Sequence, residues 1–353
     1  MSRPLAALLV ALTALLGACT PTVQQAGPPT EPPSLAGDSL VMPDGTRLPL
    51  RVWLPAEGAP RAVVLALHGF NDYSAAFEGP ARDWAAAGVA TYAYDQRGFG
   101  AASRPGIWPG QRALIDDLRT AAALVRARHP GTPFYLLGES MGGAVVMAAM
   151  VGPDPPQADG VILVAPAVWG RQTQGPLETA ALWLATHLVP WMTFTGEGLH
   201  IQATDNIELL RRMSRDPLVI KATRVDAING LVNLMDTAYD AAARLKVRAL
   251  ILYGSEEQVM PAEAILSALR RLPPAERRIA IYPTGYHMLL RDLNAGIVRA
   301  DVLAWIEDPD RPLPSGAEQI AERILSSGRD SLKLEEAEKE RLAALPALAA
   351  GRP

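Results

Sequence analysis

The sequence predicts an α/β fold in which a mostly parallel central sheet is flanked by helices and interrupted by an inserted helical cap. Three observations carry this expectation. Short apolar runs alternate with segments of helical spacing along most of the chain. Several of those runs are apolar at nearly every position, as strands covered on both faces must be. The third observation is local: Phe134-Tyr135-Leu136-Leu137 leads through Gly138-Glu139-Ser140-Met141-Gly142 into a small-residue helical stretch at 143–149. A GxSxG pentapeptide between a strand and a helix is the setting of a nucleophile elbow. The serine sits on a strained turn, and the flanking glycines let strand and helix approach.

Composition is compatible with this reading. The chain has 353 residues, 49% of them hydrophobic, and a formal net charge of -4. It is long enough for one large core with an insertion, and its charge balance argues against a nucleic-acid partner. Its 31 prolines and 29 glycines follow no period, which excludes collagen-like and solenoid architectures.

The elements follow in order. Residues 1–18 carry one positive charge, an apolar stretch from Leu5 to Leu16, and small residues before Cys19, the only cysteine. The stretch is shorter than the roughly 20 residues of a membrane span and has the pattern of an export signal. Leu16-Gly17-Ala18-Cys19 resembles the lipobox of bacterial lipoproteins. That resemblance implies a diacylglyceryl group on the Cys19 thiol and a lipid-anchored protein of the bacterial cell envelope. The absence of aspartate after Cys19 implies sorting to the outer membrane. With one cysteine there is no disulfide to form, so stability must come from the core. Residues 19–37, rich in Pro, Thr, Gln and Gly, read as a flexible tether before a domain at 38–310.

Within that domain, strands are expected at 47–54, 62–67, 89–94, 134–137, 160–164, 248–253 and 278–282. Helices are expected at 112–128 and 262–272. Between about 166 and 245 the alternation lapses into a stretch containing Trp169, Trp183, Trp191, Met192 and Phe194. It reads as the helical cap, with most of these side chains forming the cap's own core. Residues 311–353 turn polar and charged and read as a loosely attached, partly helical or disordered tail.

The chemistry is expected at the ends of the strands. A serine hydroxyl needs a base to take its proton, usually an imidazole oriented by a carboxylate. Of the five histidines, His287 in Tyr286-His287-Met288-Leu289 lies just beyond the last strand, where a loop can return an imidazole over the carboxyl edge of the sheet. His129 reads as a helix end, while His187 and His200 fall in the insertion. The acid is expected after the penultimate strand, where Glu256 and Glu257 compete. Two backbone amides should hold an oxyanion, one from Met141 after the serine and one from Phe70 in the loop His68-Gly69-Phe70-Asn71. His68 is expected to shape that loop. The sequence contains no HExxH motif and no second cysteine, and this chemistry requires neither metal nor organic cofactor.

With these residues in place, the chain resembles an α/β-hydrolase of the monoacylglycerol lipase and lysophospholipase group, from about Ala62 to Trp305. His68-Gly69, Tyr94-Asp95-Gln96-Arg97-Gly98-Phe99-Gly100, Gly138-Glu139-Ser140-Met141-Gly142-Gly143 and Tyr286-His287-Met288-Leu289 carry the resemblance. The family's acid, usually an aspartate three residues after a glycine, corresponds here to Glu257. The resemblance implies a serine esterase acting on a monoacyl lipid, a monoacylglycerol or a lysophospholipid, through Ser140, His287 and Glu257. It also implies that Asp95 and Arg97 order their loop and that the insertion caps an acyl-binding tunnel. Two other functions fit the same residues less fully. An aminopeptidase or amidase would grip an amine through Glu178, Glu197, Asp205 and Glu208, and a non-catalytic envelope binding protein would have lost its acid.

Overall fold

The computed structural model describes residues 20–198, 201–328 and 331–334. The expected signal 1–18, Cys19, His200 and the tail beyond residue 334 lie outside them.

The sheet has nine strands: β1 (Ser34–Ala36), β2 (Ser39–Val41), β3 (Arg47–Trp53), β4 (Ala62–Leu67), β5 (Val89–Tyr94), β6 (Phe134–Glu139), β7 (Gly160–Val164), β10 (Ala249–Gly254) and β11 (Arg277–Tyr282), in the order β1-β2-β3-β5-β4-β6-β7-β10-β11. β8 (Thr193–Thr195) and β9 (Ala222–Arg224) form a separate antiparallel pair in the insertion, which the sequence did not foretell. The first three strands run antiparallel to their neighbours, and every pairing from β5 to β11 is parallel.

The helices are α1 (Glu78–Ala86), α2 (Gln111–Arg128), α3 (Met141–Val151), α4 (Pro176–Leu188), α5 (Ile207–Arg215), α6 (Val225–Ala242), α7 (Ala262–Arg271), α8 (Ala295–Glu307) and α9 (Ala317–Ser326).

Strand periodicity sorts the core into two layers. On β4, Val63, Leu65 and Leu67 join one apolar cluster with Leu118 of α2, Val145 of α3, Leu234 of α6 and Ile265 of α7. Val64 and Ala66 join the other with Trp84 of α1 and Val302 and Trp305 of α8. Both faces of the sheet are therefore covered, which explains runs with no polar alternation.

Three parts differ from expectation. The stretch expected as a free tether lies on the domain: Ser34–Ala36 is strand β1, and Gln24 N donates to Trp108 O at 2.8 Å, while Thr30 N donates to Pro43 O at 2.7 Å. An extended, proline-rich segment cannot build a core, but its amides still bond well to an existing surface. The start of the polar tail likewise packs: α9 lies against β11 with Ile320 and Ile324 buried. In the insertion, Trp183, Trp191, Met192 and Phe194 are exposed and do not form a cap core. α4 packs against α6 and carries the exposed Trp183, while Trp191, Met192 and Phe194 follow it in the turn and strand β8.

Candidate active site

The parallel strands end together, and the loops that follow carry every sequence-selected site residue among those described. Ser140 sits between β6 and α3 with φ 53° and ψ -116°. A side chain at positive φ costs of order 1–3 kcal/mol, a strain that is held only where packing over-determines the turn. Here a Cβ on Gly142 would lie 2.1 Å from Leu67 O, and one on Gly138 would lie 2.4 Å from the Gly142 carbonyl. Only glycine at both positions allows β4, β6 and α3 to meet around Ser140.

His287 and Glu257 are held over the same edge. After β10 and β11, Ser255 N donates to Tyr282 O at 2.9 Å and Glu256 N to Gly285 O at 3.0 Å, lacing the acid and histidine loops together. Between the two glutamates the geometry decides: Glu257 Oε2 accepts from His287 Nδ1 at 2.6 Å. Its other oxygen accepts from Val259 N at 2.7 Å and Met260 N at 3.3 Å. Burial alone would raise the Glu257 carboxyl and lower the His287 imidazole. Their mutual attraction, joined by the Val259 and Met260 amides at Glu257 and by the Glu139 charge near His287, overcomes burial, so Glu257 lies below the usual carboxylate range and His287 above the usual imidazole range. Because Nδ1 donates, Nε2 keeps the lone pair of the neutral ring. No hydrogen bond joins Ser140 Oγ to Nε2 among the described residues. Such contacts are often loose until substrate binds.

The oxyanion loop touches the elbow. A Cβ on Gly69 would come 3.3 Å from Ser140 Cβ. Phe70 follows in this loop, and Met141 is the first residue of α3, where the helix dipole favours negative charge. Neither amide has an acceptor among the described residues. His68 braces the turn: its Nδ1 donates to Gly69 O at 2.8 Å, and Nε2 accepts from Gln96 N at 2.9 Å. Burial lowers its pKa, which keeps the ring neutral in that role. A small cleft lined by Phe70, Phe99, Ile107, Trp108 and Ile220 adjoins the loop.

Asp95 and Arg97 act as loop braces. Asp95 accepts from Ser74 N at 3.0 Å and Ala101 N at 2.8 Å, while Arg97 bridges Asp117 and Asp44, both at 2.8 Å. Of the other histidines, His129 caps α2 and meets Tyr92 Oη at 2.8 Å, and His187 Nδ1 donates to Trp183 O at 2.7 Å. Among the described residues, no group of three or more His, Cys, Asp or Glu is arranged to hold a metal.

Sequence reasoning missed the group that joins the three loops. The buried Arg291 guanidinium donates to Asp72 at 2.7 Å, beside the oxyanion loop, and to Glu139 at 3.0 Å, immediately before Ser140. Arg291 lies four residues after His287, so one cation fastens histidine loop, oxyanion loop and elbow. Next to it, Asp292 accepts from Tyr286 N at 2.8 Å and fixes the backbone entering His287. Burial pushes the Asp292 carboxyl up to about 6. Only the glutamate within the GxSxG pentapeptide hinted at a buried cation, since its strand position requires a partner. Replacing Arg291 by Met strands two buried carboxylates and should destabilise the fold by about 3–5 kcal/mol in urea denaturation. Arg291→Lys, which keeps the charge, should lose less.

Comparison with known proteins accords with this geometry. A monoacylglycerol lipase of Mycolicibacterium smegmatis is 26% identical over 274 residues, covering 74% of this chain and 93% of the relative. A monoglyceride lipase of Mus musculus is 24% identical over 278 residues, covering 76% and 89%. Among solved structures, a soluble variant of monoglyceride lipase from Saccharomyces cerevisiae, in complex with a substrate analog, superposes with a TM-score of 0.64 at 19% identity, covering 82% of this chain and 98% of that one. At that identity the likeness speaks for the α/β-hydrolase fold. The profile of the Hydrolase_4 family, described as "Serine aminopeptidase, S33", matches residues 58–294. That span holds the elbow, the oxyanion loop, Glu257 and His287, and the chain belongs to this family of hydrolases.

Proposed function

We propose that the protein is a serine esterase that hydrolyses the carboxylic ester of a monoacyl lipid, a monoacylglycerol or lysophospholipid. The observation that carries the reading is the 2.6 Å contact of His287 Nδ1 with Glu257, on the sheet edge that also carries Ser140. Ser140 Oγ attacks the ester carbonyl carbon as His287 Nε2 takes its proton, and Glu257 stabilises the resulting imidazolium. The carbonyl oxygen becomes an oxyanion held by the Phe70 and Met141 amides. Each such donor is worth about 2.7–4 kcal/mol in the transition state. Collapse breaks the ester bond, and His287 returns the proton to the leaving alcohol. Water, deprotonated by the same imidazole, then attacks the acyl-serine and releases the fatty acid.

The lipid substrate is supported by the relatives named as monoacylglycerol lipases. Amine recognition has less support, because three of the four acids it would use, all but the exposed Glu197, are engaged elsewhere. Glu178 accepts from Gly175 N at 3.1 Å, Asp205 accepts from Leu293 N at 2.8 Å, and Glu208 pairs with Arg211 at 3.6 Å.

Two experiments test the proposal. Ser140→Ala should lower kcat on a monoacylglycerol by about 10⁶-fold, and Glu257→Gln by about 10⁴-fold. Since His287 works as a base only when neutral and its pKa is raised above 6.5, the acid limb of kcat/KM should lie above pH 6.5. Removing the Glu257 charge should move that limb to lower pH. Equal activity of Ser140→Ala refutes the mechanism. Separately, we read Cys19 as the lipid attachment point of an outer-membrane lipoprotein. Labelled fatty acid should enter the wild-type chain and not Cys19→Ser when expressed in a bacterium.

A further inference from the structure

The cap carries an apolar surface whose position relative to the chain's N-terminal segment is fixed. Among the described residues, nine of the fourteen exposed large apolar side chains fall between positions 177 and 207. Trp183, Leu184, Leu188, Trp191, Met192 and Phe194 are each between 43% and 60% exposed. From Thr179 to Gly196 the sequence contains no Asp, Glu, Lys or Arg. A water-facing segment this apolar and free of charge is unusual unless it meets another apolar phase. α4 has 13 residues, too few to span a bilayer, so such a phase would be met along its surface.

The N-terminal strap reaches the same place. Thr22 N donates to Asp226 Oδ2 at 3.1 Å. Asp226 N in turn donates to Pro190 O at 3.1 Å, and Val225 N to Met192 O at 2.9 Å, so the strap is held at the foot of the Trp191–Met192 turn. Gln24, almost fully buried, secures it again through Ser103 Oγ at 2.7 Å and Trp108 O at 2.8 Å. Cys19 lies three residues before Thr22, a reach of at most about 10 Å. The apolar stretch Leu5–Leu16 precedes it. The strap is therefore a short latch at the apolar cap segment, where a free tether would have allowed any orientation.

We infer that residues 183–194 are a docking face for a lipid surface and that the Thr22–Gln24 latch registers the chain's N-terminal anchor with it, turning the capped site toward the bilayer. The partner is a phospholipid interface, for two reasons. Exposed tryptophans beside threonines and a histidine suit the boundary between headgroups and acyl chains. An anchor and an adjacent apolar face also supply the two signals that stable membrane attachment needs. Without cations in the segment, binding should not depend on anionic lipid. The inference deepens the lipid-esterase reading, and its test is independent of that reading.

The test uses the full-length chain with Cys19→Ser, so that acylation cannot act. An environment-sensitive fluorophore on Phe194→Cys should brighten about twofold and shift to the blue when phosphatidylcholine vesicles are added, at low and high salt alike. The same fluorophore on Arg112→Cys, on α2, should not respond. In the Cys19-acylated chain, combining Thr22→Pro with Gln24→Gly, which removes the Thr22 amide bond and the Gln24 side-chain bond, should weaken vesicle binding by about tenfold. Turnover of a water-soluble ester should remain within about twofold in all these variants, and the vesicle response is read whether or not that ester is hydrolysed. A signal at 194 unmoved by vesicles, or one that rises with protein concentration in their absence, overturns the docking face, the second result in favour of another copy of the chain. Unchanged binding after loss of the latch overturns the registration.

Discussion

A carboxylate and an imidazole, both buried, are tolerable together at the edge of this sheet and costly apart. Glu257 gives up water for one imidazole N–H and two backbone amides, and His287 gives it up for one carboxylate. That exchange constrains the acid loop, the histidine loop and the bonds that lace them, and it fixes which ring nitrogen keeps a lone pair. The Arg291 clamp extends the constraint to the elbow and the oxyanion loop through Glu139 and Asp72. Proposed chemistry and local stability thus draw on the same buried charges.

The extra methylene of a glutamate in the acid position is absorbed locally. Val259 and Met260 amides pin one carboxylate oxygen and leave the other directed at Nδ1. This is a backbone solution, invisible to a comparison of side-chain lengths. Position after the penultimate strand located the pair Glu256 and Glu257, the family's spacing pointed to Glu257, and the backbone contacts show how the longer side chain serves there.

The sheet was legible because its strands are apolar on both faces: β4, β5 and β7 occupy the segments read from hydrophobic runs. The turn at Ser140 was legible because its glycines have a steric reason to be there. Arg291 was not, since its bonds join residues 219 and 152 positions apart and no local pattern encodes such pairs. The strap was misread as a free tether, and the tail's first helix was expected but its packing was not, for a related reason. Polar, proline-rich composition shows that a segment cannot make its own core, yet it does not show whether the segment can lie on someone else's. In the insertion, apolar composition pointed to burial, whereas α4 packs against α6 and exposes Trp183 and Leu184.

The central claim is that Ser140 is made nucleophilic by His287 and Glu257. The most direct measurement is intact-mass and peptide mapping after exposure to an alkyl fluorophosphonate. The account predicts one phosphonyl group, carried on Ser140, with labelling lost in Ser140→Ala and slowed in His287→Ala. A folded wild-type protein that stays unlabelled, or that is labelled equally well without the Ser140 hydroxyl, would contradict it.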